Sequence, residues 1–273
     1  MSAVARVPTV RIEPPRRSRL AWAISDALIV AKRNLIRIPR IPEELVFATI
    51  QPVMFVLLFR YVFGGAIAVQ GTSYVNYLMA GIFVQTVIFG AMSTGIGLAE
   101  DLHRGLVDRF RSLPMARSAV LTGRTLADLV RNTFVVIVMF VVGLLVGFRP
   151  QGGVLGLLGA AGLLLLVSFA FSWISATVGL MVRTVETAQS AGFIWVFPLT
   201  FLSSAFVPTS TMPSWLRAFA AHQPVTMFMN TVRALLLGKP VGSAGWQSLA
   251  WCLGILLVFA PLAVSLYRRR TAD

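Results

Sequence analysis

The stretch EDLHRGLVDRFRSLPMAR, Glu100 to Arg117, separates two apolar runs and sets the topology of the chain. The 39 residues before it, Tyr61 to Ala99, contain no Asp, Glu, Lys or Arg. After it, the chain becomes apolar again at about residue 125. The hydrocarbon core of a bilayer accepts uncharged helices of roughly 20 residues, whereas ionised side chains belong at or beyond its surface. The stretch is therefore predicted to be a loop between two membrane spans.

The composition of the whole chain supports a membrane protein with several spans. Of its 273 residues, 57% are hydrophobic and 12% are charged, and the mean hydropathy is +0.80. A soluble domain carries about 25% charged residues. The net charge of +14 comes mostly from arginine, but no solvated basic domain is long enough to bind nucleic acid. The single cysteine, Cys252, lies in an apolar run and has no partner for a disulfide or a metal site.

The N-terminal region is predicted to end in an amphipathic helix on the membrane surface. Residues 20–38 place Leu28 and Leu35 on one apolar face, while Lys32 and Arg33 lie off that face, where they can approach anionic head groups. Domain boundaries follow: a basic tail and interface helix over 1–42, a transmembrane domain over 43–267, and a short tail over 268–273.

Six spans are predicted within the transmembrane domain, so the fold class is an all-α polytopic membrane protein. Between the fifth and sixth spans, residues 208–240 are broken by four prolines, and we expect two short re-entrant helices at about 213–221 and 225–237. The predicted spans are about 43–63, 74–99, 125–148, 154–182, 188–207 and 247–267.

The distribution of basic residues predicts the orientation. With both termini and the charged stretch inside the cell, the inner side carries 19 Lys and Arg residues and the outer side carries five. Because cytoplasmic loops are enriched in basic residues, both termini are predicted to be cytoplasmic, in the cell membrane.

Catalytic and energy-coupling motifs are missing from the sequence. It lacks the GxxxxGK[ST], HExxH and GxSxG patterns, so we expect neither a cofactor nor a metal in this chain.

Long uncharged spans disfavour an ion-coupled carrier, which usually needs buried ionisable groups. A membrane-embedded lipid enzyme has only a poor candidate pair, His222 with Arg217. Asp128 and Arg131 are expected to be interfacial anchors or a helix pair. A translocation path driven by a partner fits best.

The charged stretch itself is predicted to form a short amphipathic helix over about 100–114. Its apolar residues recur at steps of four and three, which places them on one helical face: Leu102, Leu106, Phe110 and Leu113. Acidic and basic side chains interleave on the remaining surface. This mixed charge favours docking to a protein, because a lipid-anchoring helix is mainly basic on its polar face. The alternative is a solvated loop helix that rests on lipid.

Three motifs in this chain resemble a known family. DLHRGLVDRFRSLPMAR resembles the inner loop of ABC type-2 exporter permeases, in the daunorubicin-resistance-type efflux branch. QPVMFVLLFRYVFGGAI resembles the first span of that branch, and VPTSTMPSWLRAFAAHQPVT resembles its outer re-entrant segment. The similarity keeps the family order over roughly residues 20–270.

The resemblance implies a permease subunit of an ATP-driven exporter, without catalytic activity of its own. It implies two permease chains, identical or paralogous, and two copies of a separate ATPase that binds ATP and Mg. The inner loop would be the coupling helix seated on the ATPase, with the N-terminal helix beside it. Its matching positions are Glu100, Asp101, Leu102, Arg104, Gly105, Leu106, Asp108, Arg109, Phe110, Leu113, Pro114 and Arg117.

The resemblance also implies a substrate path between two permeases, along the first, second and fifth spans. Residues that could line it are Met54, Phe55, Phe83, Met92, Phe193 and Trp195, although ordinary packing or lipid contact is the more common role for such side chains. The absence of a large outer domain favours hydrophobic or amphipathic drug-like molecules, with lipids or glycolipids as the alternative.

Overall fold

The computed structural model describes residues 42–67, 69, 71–104 and 117–270, together with residues 25, 29, 31, 32 and 36. The described residues form helices and connecting turns, without a strand among them. Their helices are α1 (Pro42–Leu57), which continues as a π-helix (Leu58–Phe63), α2 (Tyr74–His103), α3 (Arg117–Val146), α4 (Gly153–Met181), α5 (Val185–Phe201), α6 (Ser214–His222), α7 (Pro224–Leu237) and α8 (Gly242–Arg270).

Within the described ranges, five helices are long and apolar enough to cross a membrane. They are α1 with its π-helical extension, α2, α3, α4 and α8. These five coincide with the predicted first, second, third, fourth and sixth spans, which confirms the all-α, multi-pass architecture. The first span runs through Pro52 as one α-helix before its geometry widens at Leu58.

The predicted fifth span has a wrong end. The helix at this position, α5, is 17 residues long and ends at Phe201 and not at residue 207. It is not among the five candidate spans, so the predicted total of six spans is not confirmed. Pro198 lies inside the last turn and has no N–H to donate. The amide Nε2 of Gln223 then donates to the carbonyl oxygens of Leu199 at 2.8 Å and Leu202 at 3.3 Å. A side chain from the junction of α6 and α7 thereby satisfies backbone groups that would otherwise require another helical turn.

The region after α5 contains the predicted pair of short helices. They are α6 and α7, whose bounds agree with the prediction within one residue at each end. Gly238 ends α7 with φ of +64°, a left-handed conformation that glycine adopts without strain. The backbone N–H groups of Gln151 and Gly152 donate to the carbonyl of Leu236, which ties the α3–α4 turn to this end of α7.

Helix α2 lies at the centre of the bundle, with most of its side chains buried. It approaches α4 closely because Gly95 and Gly179 face each other: a Cβ added to either would collide with the backbone of the opposite helix. Small residues permit such contacts between membrane helices, where van der Waals packing replaces the hydrophobic effect. The Oγ of Ser175 donates to the carbonyl of Met92 at 3.0 Å and accepts from the N–H of Gly95 at 3.2 Å.

One end of the bundle collects the charged connections. Asp101 at the end of α2 pairs with Arg124 of α3, and Arg270 donates to the carbonyls of Met181 and Val182 in the α4–α5 turn. The structure therefore places the end of α2, the α4–α5 turn and the end of α8 on the same side of the bundle. We name this the charged end. Its assignment to the cytoplasm remains a prediction.

The predicted interface helix is described at only five positions, all helical. Among these positions Lys32 is exposed and Ala31 is buried, and the predicted amphipathic helix as a whole stays a prediction. Leu28, Arg33 and Leu35 lie outside the described residues. The domain boundaries and the two tails stay predictions.

Candidate functional site

Three polar residues of α3 form one face toward α2. Arg124, Asp128 and Arg131 follow each other at steps of four and three, which aligns them along a helix. Because α2 runs antiparallel to α3, these side chains meet partners that lie progressively deeper along α2. We call this set of contacts the α2–α3 ladder.

The first rung of the ladder is an ion pair between Arg124 and Asp101. The two side chains are only 16% and 13% exposed. Gly97 makes room for the arginine, because a Cβ there would overlap the guanidinium group. A pair this sheltered is screened little by salt, and removing one partner leaves the other charge uncompensated.

The deeper rungs join α3 to α2 through hydrogen bonds. The hydroxyl of Thr94 donates to the carboxylate of Asp128 at 2.6 Å. The Nη2 of Arg131 donates to the carbonyl oxygen of Gly90 at 2.8 Å and also to the hydroxyl of Ser93. Asp128 and Arg131 were expected to be interfacial anchors or a helix pair; the structure shows that both connect α3 to α2. Bonds to charged groups are worth about 1.5–3 kcal/mol each.

A further bond extends the polar contact to α4. The Nδ2 of Asn132, which is buried, donates to the hydroxyl of Ser168 at 2.8 Å. Gly90 accommodates Asn132, since a Cβ on Gly90 would collide with its amide. The charged end of α2 is therefore fixed to α3, and α3 in turn to α4.

The described part of the predicted coupling helix begins inside α2. Glu100 to His103 form the last turn of α2. The backbone N–H of Arg104 caps this turn by donating to the carbonyl of Glu100, and the Arg104 side chain forms an ion pair with the Glu100 carboxylate at 2.6 Å. Asp101 points into the ladder, and Leu102 packs against the core at the charged end. Arg104 is exposed.

The remaining coupling positions are not placed. Gly105, Leu106, Asp108, Arg109, Phe110, Leu113 and Pro114 lie outside the described residues. Arg117 begins α3, and its side chain is not described.

A cavity of about 200 Å³ lies where α1, α2, α3 and α5 meet, directly beside the ladder. Its lining combines apolar side chains with amides, a hydroxyl pair and one guanidinium group. The lining residues are Ala48, Gln51, Pro52, Phe55, Gln85, Thr86, Phe89, Gly90, Met92, Ser93, Ile96, Arg131, Asn132, Val135, Gln189 and Phe193. We call it the polar cavity.

Several polar atoms at the polar cavity are buried without a partner among the described residues. They are the Oε1 and Nε2 of Gln85, the Oγ1 of Thr86 and the Nε of Arg131. Gln85 is only 3% exposed and Thr86 only 7%. An unmet buried donor or acceptor costs about 1–3 kcal/mol, so such groups are usually met by water or a ligand.

An aromatic cluster lies on the side of the polar cavity away from the charged end. Phe55 of α1 contacts the rings of Phe201 and Phe206 with centroid separations of 5.7 and 5.9 Å. Phe59 stacks on Phe206 at 4.1 Å, and Phe197 stacks on Phe201 at the same separation. These rings join α1 to the segment where α5 ends, and Phe55 connects the cluster to the cavity lining.

The predicted path residues separate into two groups. Phe55, Met92 and Phe193 line the polar cavity together. Phe83 is buried between Phe140 and Phe148, and Trp195 stacks on Phe171 at 5.9 Å. Met54 is 63% exposed on the outer surface of α1. The structure therefore brings three of the six together and places the other three in packing or surface positions.

Sequence reasoning missed the polar lining, above all Gln85, Thr86 and Asn132. Their signal was present, because uncharged polar residues inside a span face other helices and not lipid. Neither Gln85 nor Thr86 belongs to a recognisable motif, and their convergence with α3 appears only in three dimensions.

The lipid-enzyme alternative gains nothing from the geometry. Arg217 donates to the carbonyls of Ser210 and Met212, and the Nδ1 of His222 contacts the carbonyl of Ala218. Both side chains are exposed and engage main-chain oxygens.

Comparison with known proteins gives the family. The profile of the ABC-2 type transporter family matches residues 26–237. The daunorubicin resistance ABC transporter permease protein DrrB1 of Streptomyces coeruleorubidus is 36% identical over 256 residues, covering 92% of this chain and 89% of the relative. The probable doxorubicin resistance ABC transporter permease protein DrrC of Mycobacterium tuberculosis is 28% identical over 248 residues, covering 90% and 89%.

A more distant relative is also a permease. The putative transport permease ycf38 of Cyanophora paradoxa is 24% identical over 216 residues, covering 78% of this chain and 74% of the relative. This chain belongs to the ABC-2 type transporter family. It is the membrane permease component of an ABC transporter, which works with a separate ATP-binding subunit and does not itself catalyse hydrolysis.

Proposed function

We propose that this permease exports amphipathic, drug-like small molecules across the cytoplasmic membrane, with both termini in the cytoplasm. Two permease chains act with two copies of the ATP-binding subunit, which holds ATP and Mg. The relatives named for daunorubicin and doxorubicin resistance support this substrate class. The mixed apolar and polar lining of the cavity also supports it, because a wholly apolar lining would offer nothing to the polar part of such a molecule.

One observation carries the proposal: Arg131 belongs to both the α2–α3 ladder and the polar cavity. The ladder begins at Asp101, beside the loop that is expected to dock on the ATPase, and ends at Arg131 in the cavity wall. A push on that loop therefore moves α2 and α3 as one unit and changes the cavity. A packed pair of helices transmits displacement in this way because its interior is dense and resists deformation.

Within this scheme some residues of the charged stretch contribute to the docking surface, and others position it. Glu100 and Arg104 form an ion pair beside the expected docking surface, with Arg104 exposed. Asp108 and Arg109 follow in the loop and are expected to contribute mixed charge to the same surface. Asp101 and Leu102 are engaged within the chain and would position the docking segment.

A lipid or glycolipid exporter is the second candidate. Exposed apolar side chains are extensive on α1, with Phe47 at 71% and Met54 at 63%. A helix with this many exposed apolar side chains is compatible with the lateral entry of a lipid from the bilayer. The amide, hydroxyl and guanidinium groups that line the polar cavity offer hydrogen bonds that acyl chains cannot use, so the drug-like class is preferred.

The docking role is tested by reversing charge on the coupling segment. The permease is expressed with its ATP-binding subunit, and Glu100→Arg is combined with Asp108→Arg. We expect the amount of copurified ATPase to fall about tenfold, equivalent to about 1.4 kcal/mol, because repulsion replaces the complementary contacts. ATP-driven transport in sealed vesicles should fall in parallel.

The matched control is Lys239→Glu, a charge reversal at the opposite end of the bundle. Lys239 is exposed and its Nζ approaches only the carbonyl of Gly71 among the described residues, at 3.4 Å. Association and transport should be unchanged in this variant. If the double variant kept both native association and native transport, the docking role would be wrong.

A further inference from the structure

The polar cavity contains hydrogen-bonding groups that the fold itself does not use. Both polar atoms of the Gln85 side chain and the hydroxyl of Thr86 lack partners among the described residues, although both residues are more than nine-tenths buried. They are adjacent in sequence and line the same cavity. From this arrangement we infer that the polar cavity is a binding subsite for an uncharged, oxygen-bearing aromatic group of the ligand, and that it discriminates against cations.

The inference rests on the proposed function, because the ligand is taken to be the transported molecule. It goes further by assigning the recognition to Gln85 and Thr86. The amide of Gln85 offers two donors and one acceptor, and the hydroxyl of Thr86 offers one of each kind. A carbonyl or hydroxyl oxygen on the ligand would satisfy groups that otherwise remain unmet at a cost of about 1–3 kcal/mol each.

The walls of the cavity suit a flat ring. Phe55, Phe89 and Phe193 contribute faces or edges, and Phe89 meets Phe193 edge to face at 6.1 Å. Aromatic pairs prefer such offset or perpendicular contacts, which leave room for another ring beside them. The volume of about 200 Å³ is below the range of roughly 300–1,000 Å³ for complete drug-sized ligands. The cavity therefore holds one ring with its polar substituent, and the rest of the molecule extends out of it.

Charge at the cavity is positive and unbalanced by any lining carboxylate. The lining residues include Arg131, whose Nη2 is committed to Gly90 and Ser93 while its Nε remains without a partner among the described residues. Among the described residues no Asp or Glu lines the cavity; the carboxylate of Asp128 lies outside the lining, where it accepts a hydrogen bond from Thr94. A cationic group placed here would meet a like charge in a medium of low dielectric constant, which is strongly unfavourable.

Water is the competing occupant. A few molecules fit in 200 Å³ and would satisfy the same polar groups. If water alone occupies the cavity, the protein does not select one of two matched organic probes over the other. Comparing the binding of two such probes therefore distinguishes a water-filled cavity from a ligand subsite.

The experiment uses the permease together with its ATP-binding subunit in lipid nanodiscs. The probe is prodan, a neutral naphthyl ketone whose emission responds to hydrogen bonding at its carbonyl. Its partner is the same ketone with a trimethylammonium arm. We expect saturable binding of the neutral probe and at least tenfold weaker binding of the cationic one.

Two substitutions of one side chain then test the assignment. Gln85→Met keeps the length of the side chain and removes its hydrogen bonds, so affinity for the neutral probe should fall about tenfold. Thermal stability should stay the same or rise, because the amide has no hydrogen-bond partner to lose within the described part of the chain. Gln85→Glu adds a carboxylate to the cavity that Arg131 also lines and should raise affinity for the cationic probe.

The control is Gln247→Met, on α8 and away from the cavity, which should bind both probes as the native protein does. Unchanged neutral-probe affinity in Gln85→Met overturns the inference, as does equal affinity of the native protein for both probes. Absence of saturable binding by either probe shows that the cavity holds water only. ATP-driven export measured on the same preparation tests the proposed function separately: intact export with unchanged Gln85 variants rejects only the subsite.

Discussion

Two regions of this permease use a sheltered arginine, and they use it differently. In the α2–α3 ladder, Arg124 pairs with the carboxylate of Asp101 and connects two continuous helices. At the other end of the bundle, Arg233 of α7 has no carboxylate among its described partners. It donates to the carbonyl of Ser204 at 2.8 Å and lies 3.7 Å above the ring of Tyr77.

The second region, which we call the Arg233 latch, holds irregular backbone. The Nη1 of Arg233 also donates to the Oδ1 of Asn230 at 2.8 Å, and its Nε approaches the carbonyl of Tyr77 at 3.4 Å. The chain from Leu202 to Pro208 is not helical, so its carbonyls need donors from elsewhere. The latch supplies such a donor and fixes α7 to α2 at the same time.

The difference shows that a sheltered arginine in a membrane bundle can have either of two roles: it can couple the movement of two helices, or it can complete the hydrogen bonding of the fold. A ladder of pairs between intact helices keeps two helices in register, so that they move together. A latch onto broken backbone completes hydrogen bonding that folding requires. We therefore expect variants of the ladder to lose transport before stability, and variants of the latch to lose stability first.

The largest expected effect is on the latch. Arg233→Met removes three hydrogen bonds and a cation–π contact, and should cost about 3 kcal/mol. The apparent melting temperature in detergent should fall by roughly 5–10 °C. Arg217→Met is the control, since Arg217 is exposed on α6, and it should shift the melting temperature by less than about 2 °C. Equal shifts in the two variants would contradict the latch.

The next effect is on the ion pair of the ladder. Asp101→Asn leaves Arg124 without its counter-charge and should cost about 1–3 kcal/mol. ATP-driven transport should fall much further than this loss of stability explains, while the ATPase still copurifies. In a double-mutant cycle with Arg124→Gln, the interaction energy should be at least about 1 kcal/mol. Additive effects on stability and transport would show that the pair does not couple the helices.

The smallest expected effect is on the hydrogen bond from the uncharged side chain of Thr94 to Asp128 in the α2–α3 ladder. Thr94→Val keeps the shape of a fully buried side chain and removes the donor to Asp128, at a cost of about 1–2 kcal/mol. Thr133→Val is the matched control, because the hydroxyl of Thr133 bonds to the carbonyl of Leu129 in its own helix. Unfolding of both variants followed by circular dichroism makes the comparison, and a larger loss in Thr133→Val would argue against the rung.

The path residues show how far pattern reasoning reached into the site. Phe55, Met92 and Phe193, three of the six residues named as possible path lining, line one cavity, because the helices that carry them pack together. Phe83 has the same residue type as Phe55 and Phe193, and Trp195 is also aromatic, yet both pack against other rings. Side-chain chemistry is similar in the two groups, so helix rotation distinguishes them, and the sequence of a helix that is apolar on all sides contains no signal for rotation.

The fifth span illustrates the opposite failure. Residues 188–207 are apolar and uncharged, and a span was the natural prediction. The helix ends at Phe201 because Gln223, 24 residues beyond Leu199 in sequence, donates to its last carbonyls. A boundary set by a distant donor cannot be read from local hydropathy.

By itself, the sequence determined that this protein is an all-α membrane bundle whose charged stretch lies between two spans. Long uncharged runs and the positions of prolines decide this, because the bilayer penalises unpaired charge and unmet backbone groups wherever they occur. Only the tertiary structure decided that Asp101 and Arg124 pair, that Arg233 closes broken backbone, and that Gln85 lies unpartnered in a cavity beside Arg131. Those outcomes depend on the rotation and close approach of helices, which packing between them sets.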